Sequence, residues 1–179
     1  MKEISLNVLD IAQNSVKAGA QHIGVLLDRV GDALTVTITD DGCGMAPDFL
    51  ASVTDPFTTT RTTRKVGMGI PLFKLAAEQT GGSLAITSKQ ATADDPAHGT
   101  TITALFHTDH VDCEPLGDIV STVVTLLQGS PNVRWTYRYT VDGEERQSLS
   151  TDEMKQMLGD DVPIDAPEVL AWVRDSLSG

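Results

Sequence analysis

Cysteine is nearly absent from this 179-residue chain: Cys43 and Cys113 are the only two. They lie far apart, too few for a disulfide scaffold and without metal-ligand spacing, so reduced thiols are expected. No stretch approaches the run of about 20 apolar residues that crosses a bilayer. The first ten residues, MKEISLNVLD, place Glu3 beside Lys2 and contain no apolar core, which does not fit a secretory signal. A cytoplasmic location, away from any membrane, is the expectation. Basic charge is also scarce, with 13 Lys and Arg against 25 Asp and Glu and a net charge of -12. Nucleic acid is thereby disfavoured as a partner, because phosphate backbones need a basic surface.

What is present is an ordinary globular composition, 40% hydrophobic, long enough for one well-buried domain with or without a small appendage. The charge is uneven. Residues 1–110 carry 8 basic and 12 acidic side chains, a net of -4, and residues 111–179 carry 5 and 13, a net of -8. Between Asp55 and Glu78 there is no acid, yet Arg61, Arg64, Lys65 and Lys74 fall there. A basic island in a Thr- and Gly-rich stretch of an acidic protein suits a small anionic ligand better than a polyanion.

The periodicities predict a helix over 3–18, with Ile4, Val8 and Ile11 on one face, closed by Ala18-Gly19-Ala20. A hairpin follows, 22–30 and 34–39 around Gly31-Asp32. A turn at 40–44, a short helix at 47–53, a loop at 54–67 and a helix at 70–79 come next. Strands at 83–89 and 100–108 are joined by a polar loop with Asp94-Asp95-Pro96. This order predicts helices on one face of a mixed, largely antiparallel sheet, an α+β two-layer sandwich. Beyond residue 110 the pattern changes to an apolar helix at 116–127, a hairpin at 133–141 and 144–149, and helices at 151–158 and 167–177. The chain is accordingly divided into 1–110 and an acidic α+β extension, 111–179.

Four segments carry chemistry together that none carries alone. At 100° per residue, Asn7, Asp10, Asn14 and Lys17 fall within about 80° of one another on the first helix. An amide oxygen suits Mg²⁺, a hard cation held by few protein ligands beside nucleotide phosphates. A carboxylate one turn earlier could act as a base. As a lone stripe these residues read more readily as a solvated flank. Asp40-Asp41-Gly42-Cys43-Gly44-Met45 offers a carboxylate at a strand end that can accept from an exocyclic amine, with glycines that admit a base closely; alone it is a turn. Residues 55–69, DPFTTTRTTRKVGMG, combine hydroxyls, cations and a Gly-x-Gly step into a helix start, the ingredients of a phosphate site. The fourth segment, His98-Gly99-Thr100-Thr101, opens a strand whose hydroxyl could reach the base-binding Asp.

In that order, Asp10-Ile-Ala-Gln-Asn14, Asp40-x-Gly42-x-Gly44, Gly67-x-Gly69, Gly81-Gly82 and Gly99-Thr100 resemble the boxes of the GHKL ATPase superfamily of histidine kinases, type II topoisomerases and mismatch-repair ATPases, over about residues 3–108. The resemblance implies a Bergerat-type ATP-binding fold with Asn14 on Mg²⁺ and Asp40 on the adenine amine. Gly42, Gly44 and Met45 would shape the base pocket, and Thr100 would support the adenine contact. Thr59, Thr60 and Arg61 would belong to an ATP lid over 57–67, and Gly67, Met68 and Gly69 would cradle phosphates. Asp10 stands where hydrolysing relatives have Glu, and Lys17 is like histidine kinases; these two are the candidate catalytic residues.

The Asp-Pro-Phe-Thr-Thr-Thr-Arg segment resembles the lids of nitrogen-regulator-type sensor kinases. The first helix begins almost at Met1, leaving no room before it for a phospho-acceptor hairpin. His22, His98, His107 and His110 read as structural or surface residues. The whole is similar to anti-sigma-factor kinases and, in the lid and Pro115-Leu116-Gly117-Asp118, to small ATP-binding proteins that accompany iron-only hydrogenase genes. Three outcomes are expected for bound ATP: transfer to a separate protein partner, gating of a partner-binding surface, or slow hydrolysis through Asp10. In the extension, the apolar helix is expected to bury itself in this chain or against a second copy as a homodimer. Trp135, Tyr137 and Tyr139 alternate on one face of the hairpin, a pattern that usually means core packing, with a recognition surface as the alternative.

Overall fold

A computed structural model describes residues 3–53, 69–90 and 98–178. The expected lid and the Asp94-Asp95-Pro96 loop lie outside the described residues. The elements, in chain order, are α1 (Ile4–Lys17), β1 (His22–Val30), β2 (Ala33–Asp40), α2 (Pro47–Val53), α3 (Gly69–Glu78), β3 (Ser83–Lys89) and β4 (Gly99–His107). After them come α4 (Ile119–Gly129), β5 (Arg134–Val141), β6 (Glu144–Ser150), α5 (Thr151–Leu158) and α6 (Pro167–Ser178).

Each boundary has a local cause. The N-terminus of α1 has no side-chain cap; the Ile4 and Ser5 N–H groups donate instead to the carbonyls of Pro115 and Leu116, each at 2.9 Å. These contacts satisfy donors that a helix start otherwise leaves orphaned. At the other end Gly19 N–H bonds Val16 O and Ala20 N–H bonds Ser15 O, the paired closure of a Schellman motif. Helix α4 begins at Ile119, three residues later than the apolar run suggests. Leu116 is engaged with α1, and Asp118 is the cap, accepting from Ser121 N–H at 2.9 Å. Asp142-Gly143 joins β5 to β6 with φ of 51° and 84°, the left-handed pair that a two-residue hairpin turn demands.

The strands form one mixed sheet of order β3-β4-β2-β1-β5-β6. All neighbours are antiparallel except β1 and β5, which run parallel with Ile23 opposite Trp135 and Val25 opposite Tyr137. The hairpin of residues 134–150 therefore continues the sheet begun by residues 22–40. Ile23, Val25 and Leu27 of β1, Val36 and Ile38 of β2, and Ala104 and Phe106 of β4 point to the helical side and are buried, as period two requires. Trp135 and Tyr137 extend this layer and Tyr139 is partly buried against it. Helix α1 packs against α3 on one side and α4 on the other, and α4 packs against α6. The apolar α4 thus buries itself within this chain, with Leu127 fully covered and Thr122 Oγ1 donating to Ser5 O at 3.2 Å.

Candidate functional site

Burial separates the polar residues of α1. Asn7 is only 1% exposed, and its side-chain amide has no hydrogen-bond partner among the described residues. It departs from the expected polar flank because it lies only about 40° from Ile11 at 100° per residue, at the edge of the buried face. Asp10 and Asn14 are half-buried and Lys17 is exposed. Gly69, at the start of α3, faces the same stretch so closely that a Cβ there would lie 2.6 Å from Asp10 Oδ2 and 3.4 Å from Asn14 Nδ2.

The end of β2 presents two carboxylates with different tasks. Asp41 Oδ1 accepts N–H bonds from Gln21 at 2.7 Å and His22 at 2.9 Å, pinning the start of β1. Burial pushes the Asp41 carboxyl up, but its backbone hydrogen bonds outweigh this and hold it below the ordinary carboxylate value. Asp40 turns the other way. Its Oδ1 accepts Gly42 N–H at 2.8 Å and its Oδ2 accepts the Ser15 hydroxyl at 2.6 Å.

Beyond Asp40 the chain doubles back against the edge of β3. Gly44 has φ +73°, and a Cβ there would stand 2.0 Å from the Lys89 carbonyl oxygen, so only glycine fits. Met45 N–H donates to Ser88 Oγ at 2.8 Å, and Ser88 Oγ lies 2.8 Å from Thr100 Oγ1. The His98 ring contacts Gly42 O. The turn after β2 is thus tied to β3 and to the start of β4.

These elements enclose a cavity of about 600 Å³. Asn14, Ser15, Lys17, Asp40 and Thr100 supply its polar groups, and Ile11, Met45, Phe49, Ile70 and Ile102 its apolar walls. An apolar cleft of this size with a few convergent polar groups is the usual form of a small-molecule site. Of the residues expected from sequence, the cavity brings together Asn14, Lys17, Asp40, Gly44, Met45 and Thr100. Gly42 is buried behind Asp40, and Asp10 and Gly69 meet beside Asn14 without lining the cavity. Thr59, Thr60, Arg61, Gly67 and Met68 lie outside the described residues.

Sequence reading passed over Ser15 and Ser88. Ser15 continues the Ile4, Val8, Ile11 stripe at helical spacing, and a hydroxyl at a core position of a helix that ends beside a candidate base-binding turn was the available signal. Ser88 carried none, since its partners come from two segments distant in sequence, the turn at Met45 and the start of β4 at Gly99 and Thr100. Among the described residues no group of three or more His, Cys, Asp or Glu could hold a metal ion, and no helix is long and apolar enough to cross a membrane.

Comparison with known proteins bears on the family and the fold. The sequence model described as "Histidine kinase-, DNA gyrase B-, and HSP90-like ATPase" matches residues 2–110. A putative sensor histidine kinase NtrY-like of Rickettsia conorii is 27% identical over 92 residues, 51% of this chain and 15% of that protein. The non-motile and phage-resistance protein of Caulobacter vibrioides is 30% identical over 129 residues, 68% of this chain and 15% of that protein. The chain thus spans under a fifth of the length of either relative. Among solved structures, the Aquifex aeolicus MutL ATPase domain complexed with ADP superposes with a TM-score of 0.55 at 11% identity, covering 98% of this chain and 88% of that one. That likeness is one of fold, and it includes the six-stranded mixed sheet with its helices.

Proposed function

Because the chain belongs to the histidine kinase-, DNA gyrase B- and HSP90-like ATPase family, we propose that its cavity binds Mg-ATP and that the γ-phosphate passes to a separate protein partner. The observation that carries this reading is convergence: Asn14 from α1, Asp40 from β2 and Thr100 from β4 meet on one cavity of about 600 Å³. The residues suit the nucleotide. Each Asp40 oxygen already accepts one hydrogen bond and retains capacity for an exocyclic amine, and the apolar walls suit a planar base. Asn14 would hold Mg²⁺ through its amide oxygen, the ion taking its remaining ligands from phosphates and water, as Mg²⁺ does in sites with one or two protein ligands.

Bound ATP supplies the transferable phosphoryl group. Asp10, one turn before Asn14, is the carboxylate available to take a proton from an attacking hydroxyl or imidazole. Lys17 places a cation on the cavity wall, where it would offset phosphate charge. All four histidines of the sequence lie in strands or loops: His22 in β1, His107 in β4, His98 and His110 in connections. None of the four is on a helix, and the reading takes the acceptor to be on a separate protein; the family's kinase members support transfer over simple hydrolysis.

Incubation with γ-labelled ATP and Mg²⁺, with and without candidate partner proteins, tests the assignment. Label on a partner supports it; label only in free phosphate indicates an ATPase. A second reading, a nucleotide-gated binding module, is favoured by one observation: the Asp10 carboxylate is not on the cavity wall. Persistent intact ATP together with a nucleotide-dependent partner affinity would select that reading.

A further inference from the structure

We propose that Ser15 is a positioning residue for base recognition: its hydroxyl fixes the Asp40 carboxylate in the orientation that distinguishes a 6-aminopurine nucleotide from one lacking the amine. The inference rests on the nucleotide reading of the cavity and adds to it a residue whose role neither motif nor comparison assigns.

The geometry leaves the hydroxyl little choice. Ser15 Oγ lies 2.6 Å from Asp40 Oδ2 and 3.5 Å from Ile11 O. A hydroxyl has a single proton, and the short charge-assisted bond to a carboxylate takes it in preference to the long one to a carbonyl. Ser15 is 5% exposed, so bulk water cannot easily replace it. The torsion that turns a carboxylate about its last bond is broad. Gly42 N–H holds Oδ1 alone, at 2.8 Å, and one contact leaves that torsion soft. The second, from Ser15, closes it. Both oxygens are then fixed, each with a lone pair left for a donor, and both Ser15 and Asp40 line the cavity.

The same bond joins two functions mechanically. Ser15 directly follows Asn14, so the helix carrying the metal-binding amide is tied to the base-binding carboxylate across 25 residues of sequence. Loss of the hydroxyl would free Asp40 while leaving α1 intact, since alanine is the better helix former and the Schellman closure uses the Ser15 carbonyl.

The test is titration of the full chain with Mg²⁺ and either ATP or purine riboside triphosphate, which carries hydrogen where ATP carries the 6-amino group. Wild type is expected to prefer ATP. Ser15→Ala should weaken ATP about tenfold, the scale of one charge-assisted hydrogen bond, and leave the analogue within about twofold. Ser15→Cys, similar in size but a weak donor, should behave like Ser15→Ala and serves if the alanine variant does not fold. A general loosening of the pocket would weaken both nucleotides in parallel, and that result, or unchanged ATP affinity, overturns the proposal. If wild type itself binds neither nucleotide, or both equally, the reading of Asp40 as base-binding fails first and takes this inference with it.

Discussion

Gly44 and Lys89 meet backbone to backbone: a Cβ on Gly44 would stand 2.0 Å from the Lys89 carbonyl oxygen, at a residue whose φ is +73°. This contact sets how far the turn after β2 stands from β3, and with it the width of the cavity beside Asp40.

Gly44→Ala should therefore weaken ATP binding more than tenfold and destabilise the protein by about 1–3 kcal/mol through backbone strain. Gly31→Ala is the control, because Gly31 also has positive φ (+58°) but nothing within 4 Å of its Cβ position. Thermal melts and ATP titrations of both variants decide the matter; equal losses of affinity would show that strain alone, without the Lys89 contact, governs the site.

Gly69→Ala should bring its methyl group against the Asp10 carboxylate, since the added Cβ would lie 2.6 Å from Oδ2. The expected loss is at most about 1 kcal/mol, because the half-buried carboxylate can turn aside and alanine favours the helix over glycine. Removing the carboxylate as well, in Asp10→Ala with Gly69→Ala, should recover part of that loss. Denaturant midpoints of the two single variants and the double variant measure the coupling, and strict additivity would refute the contact.

The Asp41 staple predicts a pH dependence of stability. Its carboxyl is held below the ordinary value of 3.8 in the folded chain, so its contribution is complete above that value and is lost as pH falls through the lower folded value. The carboxylate is exposed, and screening keeps the contribution on the order of 0.5–1 kcal/mol. Melting temperatures of wild type and Asp41→Asn should differ by a constant amount from neutral pH down to about pH 5 and converge as the pH falls below 3.8. A difference that grows on acidification has the opposite sign and would exclude the staple.

Leu127 is fully buried where α4 packs between α1 and α6. Leu127→Ala should cost about 2–5 kcal/mol. Because α4 shares its core with α1, the loss should appear as one earlier unfolding transition in which nucleotide binding and total helicity disappear together. Two separated transitions would contradict a common core.

Most element positions were legible in the sequence because they rest on short-range physics. The 3.6-residue stripe of Ile4, Val8 and Ile11, the Gly19 closure and the Asp142-Gly143 turn are local signals, and the structure realises them nearly residue for residue. What pairs across long distances was not legible. Nothing in 133–141 announces that it lies parallel to β1, because its alternation of aromatic and polar residues suits any half-buried strand. The start of α4 was misplaced because the Leu116 carbonyl serves α1, a demand made by another element. Asn7 was misjudged in angle, and Ser15 hid behind the more conspicuous Asn14. In the site, the glycine boxes and Asp40 announced themselves through spacing; the hydrogen bonds of Ser15 and Ser88, which bind those boxes into one wall, exist only once the sheet has formed.

The parallel pairing of β1 with β5 also bears on how the molecule is made. His22 waits for Arg134, so a nascent chain that has completed β4 still presents β1 as a bare sheet edge, with the first N–H groups of α1 unmet until Pro115 and Leu116 emerge. Pairings of such sequence separation form late, and an uncovered strand edge recruits other chains. A fragment ending at residue 110, where the family match stops, would hold that state permanently. The last third of the chain thus acts as the finishing piece of the nucleotide-binding layer, and expression yield should depend on it more than any inventory of ligand-contacting residues suggests.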